Sequence, residues 1–390
     1  MISVEAALEH LFELVVPTDI ETVPLDRACG RVLAKSVAAH RDQPPFSASA
    51  MDGYAISEQV ISTGLEFKII GESAAGHRFN GSVHAGQAVR IFTGAPIPKN
   101  ANRVIIQENV KRSGDKIIIH SAEDTADHIR VSGADFMSED KVQPPKLLTP
   151  SDIALLAAMN APQISVYKKP VIALISNGDE LVMPGQNPSE DQIIASNTFG
   201  LAALLRAHGA VPRILPIAKD NMPSLQTALH LAEGADLIVT IGGASVGDHD
   251  LVAKAATEIG FEQNFYKVAM RPGKPLMAGR LGNVAMIGLP GNPVSAMVCG
   301  HIFLIPMVQS MLGLEPFQRQ RFTAKLAHDL AANGPREHYM RASLRSDGLH
   351  VEKRQDSALL TVLSRSNALV IRPPYALFAA TGSIIEYIAI

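Results

Sequence analysis

The chain has 390 residues, 47% of them hydrophobic, and a formal net charge of −3. Its length implies roughly two to four domains, its apolar content argues against wholesale disorder, and its near-neutral charge gives no reason to expect nucleic acid as the main partner. The two cysteines, Cys29 and Cys299, form no CxxC pair, so neither a disulfide framework nor a zinc ribbon is indicated, and a reducing cytosol fits.

Residues 1–40 read as helix-rich. They begin with an amphipathic helix (Val4, Ala7, Leu8, Leu11, Phe12) that carries Glu5 and Glu9 and lacks the basic flank of a signal peptide. Residues 41–136 are rich in β-branched residues between Gly and Pro breaks, with strands expected at Phe67–Ile70, Ala88–Phe92, Val104–Ile106 and Lys116–Ile119. Residues 150–168 turn helical again, with Ser151 as N-cap, and rejoin the N-terminal helices, so the β region reads as an insertion.

From Pro170 the texture alternates. Strands are expected at Val171–Ile175, Arg213–Ala218, Leu237–Ile241, Phe265–Met270 and Val284–Gly288. Helices are expected at Thr198–Ala207 (capped by Asn197), Ser224–Ala232, Leu251–Ile259 and onward from Pro293. This alternation predicts a doubly wound α/β domain with a parallel sheet. Residues 316–390 return to short strands such as Ala368–Arg372 and Ser383–Ala389 and predict a small β domain. The most apolar stretch, Met297–Leu314, carries His301 and Gln309, and no uncharged run reaches the roughly 18 residues of a membrane span.

Ligands of open α/β sheets bind beyond the carboxyl ends of the strands. Four polar loops fall there: Ser176–Glu180, Gly242–Asp250, Met270–Pro275 and Leu289–Ser295. Glycine permits close approach of backbone to a phosphate, and a following helix offers free N–H groups. No G-x-G-x-x-G follows a strand, and Asp248 stands where a P-loop needs lysine, so two common nucleotide motifs are excluded. The carboxylates Asp179, Glu180, Asp220, Asp248 and Asp250 would repel an anionic ligand unless a hard cation such as Mg²⁺ lay between. Lys267, Arg271 and Lys274 supply fixed positive charge. The thirteen histidines form no ligand cluster, so a histidine-held metal is not expected.

Taken together, these loops resemble the molybdopterin molybdenumtransferases, the bacterial MoeA proteins, and the C-terminal domain of gephyrin. The resemblance covers nearly the whole chain: Ser49–Ala55, Thr93-Gly94-Ala95-Pro96, Arg130…Gly133…Asp135, Gly178-Asp179-Glu180-Leu181, Gly242-Gly243…Ser245-Val246-Gly247, Pro272–Pro275 and Leu289–Ser295. It implies a helical N-terminal domain (1–40 plus 137–169), an inserted β domain (41–136), a molybdopterin-binding α/β domain of the MogA/MoaB type (170–312) and a C-terminal β domain (313–390). It further implies a cytoplasmic homodimer whose active site is shared between subunits. The implied reaction takes adenylylated molybdopterin and molybdate as substrates, is Mg²⁺-dependent and releases AMP. An adenylyltransferase and molybdoenzyme chaperones would be its protein partners.

Carried over by motif, Asp52, Thr93, Arg130, Asp135, Glu180, Asp220, Asp250, Lys267 and Arg271 fall at catalytic positions, with Glu180, Asp220 and Asp250 as the Mg²⁺ ligands. Gly178, Asp179, Gly242, Gly243, Ser245, Gly247, Asp248, Pro290, Gly291, Asn292 and Pro293 fall at substrate-binding positions. Lys274, Ser295 and Arg341 correspond to a molybdate site. Ser176-Asn177 departs from the usual Ser-Thr, Arg271 from a frequent Lys, and Asn102 from a usual Asp. An ATP-dependent molybdopterin adenylyltransferase, a gephyrin-like scaffold and a tungsten-inserting enzyme are the competing readings. The added β domains oppose the first, and retention of the acidic and basic site residues opposes the second.

Overall fold

The computed structural model of the chain describes residues 1–243 and 251–390. It comprises two compact units, one of Met1–Glu21, Gly30–Ala34 and Val166–Ile390, the other of Thr22–Cys29 and Lys35–Ser165.

The first unit is built on a six-stranded sheet in the order Val211–Ile214, Val171–Ser176, Leu237–Ile241, Val284–Leu289, Met277–Leu281, Phe261–Tyr266. The first four strands are parallel. Val171–Ser176 and Leu237–Ile241 are buried almost throughout, as parallel strands covered on both faces must be. Ile172 and Leu174 join a core with the helices Val4–Leu14 and Asn197–Ala207 and the long helix from Pro293. Ala173 and Ile175 join a second core with Met222–Leu231 and Leu251–Glu258. Helices thus cover both faces, as a doubly wound α/β fold requires.

Three strand readings are corrected, the first being the edge strand, which is Val211–Ile214 rather than Arg213–Ala218. Met277–Leu281 was not anticipated, and its antiparallel pairing with Val284–Leu289 and Phe261–Tyr266 makes the sheet mixed. Gly279 hid it: a Cβ there would lie 2.1 Å from the Glu262 carbonyl oxygen, so the close strand approach demands the residue that weakens the sequence signal. The neighbouring strand is Phe261–Tyr266, not Phe265–Met270, because Lys267 takes a left-handed backbone (φ 69°) that ends the run.

The helix Pro293–Met311 is the one among the described residues long and apolar enough to cross a membrane, but it lies buried in the core. A π-type stretch, Gly300–Leu304, precedes Pro306, where the Ile305 N–H reaches the Gly300 carbonyl. Proline brings no N–H to continue the regular ladder, and the extra residue absorbs the fault. His301 sits in this stretch, buried, with Nδ1 unpartnered. Burial, reinforced by Arg319 and His208, depresses its imidazole from 6.5 to about 4. The folded-state value lies below the unfolded one, so this group's contribution is complete above pH 6.5 and is lost as pH falls toward 4. That loss is on the order of 3 kcal/mol. A His301→Leu variant should therefore show a flatter urea-midpoint profile between pH 7 and pH 4.5 than the wild type. Identical profiles would mean that His301 does not govern acid sensitivity.

The C-terminal segment forms a sheet in the order Met270–Arg271, Glu337–Arg345, Ala368–Arg372, Ile384–Ala389, Phe322–Lys325, with Gly348–Val351 paired to Glu337–Arg345. The parallel pairing of Met270 and Arg271 with Glu337 and His338 ties the basic loop of the α/β region to this sheet.

The second unit holds a six-stranded sheet, Arg103–Ile106, Gly53–Ile56, Gln87–Ile91, Glu66–Ser73, Lys116–Ile119, Val110–Ser113, whose core includes Tyr54, Ile56, Phe67, Ile105, Ile117 and Ile119. Each of the four expected strands falls within one of these, apart from Phe92 at the end of the second. Residues 1–40 are not helix-rich. After Val4–Leu14 the chain is extended at Ile20–Pro24, Val32–Leu33 and Val37–Ala38, with one 3₁₀ turn at Leu25–Arg27, because Pro17, Pro24 and β-branched residues interrupt any helical run. Residues 150–168 likewise split into the helix Pro150–Ala158 and the strand Gln163–Tyr167. The cap is Thr149 rather than Ser151: its hydroxyl accepts from Asp152 N–H, and the Asp152 carboxylate accepts from Thr149 N–H, a reciprocal box that leaves Pro150 in the first turn.

Candidate functional site

The carboxyl ends of Val171–Ser176, Leu237–Ile241 and Val284–Leu289 open on a cleft of about 820 Å³. Gly178, Glu180, Asp220, Gly242, Gly243, Lys267, Lys274, Pro290, Gly291, Asn292 and Pro293 all line it. Eleven of the anticipated residues therefore converge on one cavity, of a size suited to a small-molecule ligand. Gly242 and Gly243 adopt φ of 99° and 66°, which L side chains rarely reach. A Cβ at Gly178 would lie 2.4 Å from Glu180 Oε2, so that glycine makes room for the Glu180 carboxylate.

Other positions differ from the expectation. Asp179 is not among the lining residues, and its exposed carboxylate instead accepts from the Asp220 backbone N–H at 3.3 Å. Asn197 does not cap its helix, which starts at Asn197 itself. Its Nδ2 donates to the Gly291 carbonyl at 2.7 Å and ties that helix to the loop above. Ser245, Gly247, Asp248 and Asp250 lie outside the described residues. Among the described residues no cluster of three or more His, Cys, Asp or Glu side chains is placed to hold a metal ion.

Beside the cleft lies a smaller pocket of about 330 Å³, lined by Arg271, Lys274, Asn292, Ser295, Arg336, Gln355, Asp356 and Ser357 among others. Lys274, Pro275 and Asn292 line both cavities. Lys267 and Arg271, expected to act as a pair, are divided: the first lines the cleft and the second the pocket. The cause is the return of the chain at Arg271 into the C-terminal sheet.

Arg341 is fully buried and bonds to the pocket wall, its Nη2 donating to the Asp356 carbonyl at 3.0 Å. Gln355 clamps the Arg341 backbone from both sides, accepting from its N–H at 3.0 Å and donating to its carbonyl at 2.9 Å. Arg341 Nε and Nη1 have no partner. Burial, then the nearby Arg271, draw its guanidinium down to about 10. Burial and the same arginines, with Arg336, hold His338 neutral, at about 4. Among the described residues Asp356 is the sole carboxylate on the pocket lining, so positive charge prevails there and a small oxyanion is its natural complement. Arg336, Gln355, Asp356 and Ser357 were not anticipated. The only sequence signal is the close spacing of Arg336, His338 and Arg341 within the 316–390 segment read as a small β domain.

In the second unit Asp52 Oδ1 accepts from Thr93 N–H at 2.7 Å and from its hydroxyl at 2.8 Å. These bonds hold the Asp52 carboxyl below the ordinary range, with a smaller contribution from Arg90. Arg90 stacks on Tyr54 and Phe92 at 5.0 and 4.7 Å and donates to the Gly53 carbonyl at 3.1 Å, bracing the loop. Arg130 lies on the short strand paired with Ala48–Ser49, where Ala50 N–H also reaches the His128 carbonyl, so its backbone adjoins the Asp52 loop. Asp135 is exposed, its N–H bonded to the Gln43 carbonyl. The structure thus joins Asp52 to Thr93 directly and pairs the Arg130 backbone with Ala48.

Comparison with known proteins follows the same segments. Residues 2–160 match the MoeA N-terminal region (domain I and II), residues 173–310 a probable molybdopterin binding domain, and residues 323–390 the MoeA C-terminal region (domain IV). The chain is 34% identical to a molybdopterin molybdenumtransferase of Nostoc sp., across 93% of this chain and 87% of that protein. It is 34% identical to one of Haemophilus influenzae, across 81% and 78%. A crystal structure of the molybdopterin biosynthesis moeA protein from Pyrococcus horikoshii superposes with a TM-score of 0.87 at 26% identity, over 100% of both chains.

Proposed function

The chain belongs to the molybdopterin molybdenumtransferase family, a transferase family of molybdenum cofactor biosynthesis, and on that premise we propose that it inserts molybdate into adenylylated molybdopterin with Mg²⁺-dependent release of AMP. The observation that carries this reading is the sharing of Lys274 and Asn292 by the cleft and the small pocket. A phosphate-bearing pterin on the glycine loops and a tetrahedral oxyanion among Arg271, Lys274 and Ser295, with Arg341 behind the wall at Asp356, would meet at that boundary. Lys267 and Lys274 offset phosphate charge, and the helix starting at Pro293 turns its N-terminal end toward the ligand.

The donors suit a hard cation. Glu180 and Asp220 bring carboxylate oxygens to a cleft that also receives phosphate oxygens, and Mg²⁺ takes one or two carboxylates plus phosphate and water. Asp250 is the third ligand by motif. Bound there, Mg²⁺ would neutralise phosphate charge and favour departure of AMP. By motif we assign Asp52, Thr93, Arg130 and Asp135 to a site completed by a second copy of the chain. The four-domain division at 1–40 with 137–169, 41–136, 170–312 and 313–390, a cytosolic location, and exchange with an adenylyltransferase and molybdoenzyme chaperones belong to the same proposal.

Purified protein given adenylylated molybdopterin and molybdate should release AMP stoichiometrically with cofactor formed. EDTA should stop it, and Glu180→Ala should slow it by about 10²-fold or more. AMP release indifferent to Mg²⁺, with Glu180→Ala behaving as wild type, would remove the proposal.

A further inference from the structure

We infer that Asn177 is a positioning residue, whose buried amide fixes the Asp220 carboxylate against the Gly242–Gly243 loop so that the phosphate-facing backbone and the cation-facing oxygens are set as one unit. The inference rests on the reading of Asp220 as a cation ligand given above.

Asn177 follows the strand Val171–Ser176 and is only 5% exposed. Its backbone is held on both sides, N–H to the Ile241 carbonyl and a bridge to Ala218. Its Nδ2 donates to Asp220 Oδ1 at 3.0 Å. A carboxylate only accepts, so the amide group facing Asp220 is the NH₂, and the orientation of the side chain is settled by chemistry. The opposite oxygen, Oδ1, is buried without a partner. A buried carbonyl without a hydrogen bond is a cost that a residue serving packing alone would avoid by being apolar.

On the Oδ1 side runs the glycine pair. A Cβ on Gly242 would lie 2.9 Å from the Asn177 carbonyl oxygen and 3.3 Å from Oδ1, and one on Gly243 would lie 2.8 Å from Nδ2 and 3.2 Å from Oδ1. The loop backbone therefore rests directly on the amide. Among the described residues Asp220 is otherwise pinned through its backbone, by Asp179, while the next residue, Asn221, caps the following helix. Among the hydrogen bonds of the described residues, the one from Asn177 is the bond that orients the Asp220 carboxylate itself. Removing such an orienting partner typically weakens metal binding by about 10- to 100-fold.

The test uses the full chain with Mn²⁺ alone as probe, counted by electron paramagnetic resonance, beside the Mg²⁺ dependence of AMP release and thermal unfolding. Asn177→Ala should weaken Mn²⁺ binding and raise the half-saturating Mg²⁺ concentration by about tenfold or more, while the rate at saturating Mg²⁺ stays within about threefold. Asn177→Thr, which keeps a hydroxyl donor, should recover most of the lost affinity. Wild-type Mn²⁺ affinity in the alanine variant overturns the inference while leaving the proposed function intact. So does a loss of affinity in both variants that merely follows a lowered unfolding temperature. A wild-type protein that neither binds Mn²⁺ nor releases AMP overturns both.

Discussion

Lys274→Ala is expected to lower the rate of molybdate-dependent AMP release by about 10²- to 10³-fold, the cost of removing one preorganised charge from a site where charge is shed. Lys274 alone among the cationic residues lines both cavities. Its backbone is fixed from behind, the Val268 N–H bonding to the Lys274 carbonyl at 3.1 Å. Gly273 beside it packs so closely on the core helix that a Cβ would meet Cys299 Sγ at 2.6 Å. The lysine is itself exposed, so truncation should change folding stability by no more than about 0.5 kcal/mol. Lys274→Arg should retain part of the activity, since it keeps the charge but presents a planar fork where a compact ammonium sits. Steady-state rates against molybdate concentration, with unfolding curves as control, decide the matter. A rate within threefold of wild type in the alanine variant would mean that the two cavities do not share this charge.

Arg341→Met should separate stability from activity. A fully buried guanidinium with two unpartnered nitrogens, whose protonation is already opposed by burial and by Arg271, is costly to the fold. At neutral pH it remains charged, so the full penalty is present, and replacement of such buried charge by apolar volume is often neutral or stabilising by about 1–4 kcal/mol. The methionine variant should therefore unfold at an equal or higher denaturant concentration while losing about tenfold or more in activity, because Arg341 lies behind the pocket wall and its guanidinium holds the Asp356 backbone that lines it. Parallel loss of stability and activity would show Arg341 to be a structural arginine held by the Asp356 carbonyl alone.

The glycine loops were legible because their chemistry is local. Gly178, Gly242, Gly243 and Gly291 stand next to strand ends in the sequence, and a backbone that must bend left-handed or pass close to a neighbour announces itself as glycine. Caps were legible only as kinds of residue: Thr149 caps the helix where Ser151 was expected, and Asn197 reads as a cap but bonds across to Gly291. The Met277–Leu281 strand escaped notice because its central glycine serves a contact with Glu262, and nothing in the strand's own sequence reveals that contact.

By itself the sequence determined the α/β alternation, the order of the polar loops, the sign of the charges on each and the family to which the chain belongs. All of these depend on residues near one another along the chain, where hydrophobic period, glycine and charge act directly. Tertiary structure alone decided how the charges are partitioned. Arg271 leaves the cleft because it pairs beside His338, Arg336 and Asp356 arrive from the C-terminal segment to make a second pocket, and Asp179 turns from ligand wall to brace. Strand pairing and burial set those distances between residues far apart in sequence, and no local pattern encodes them.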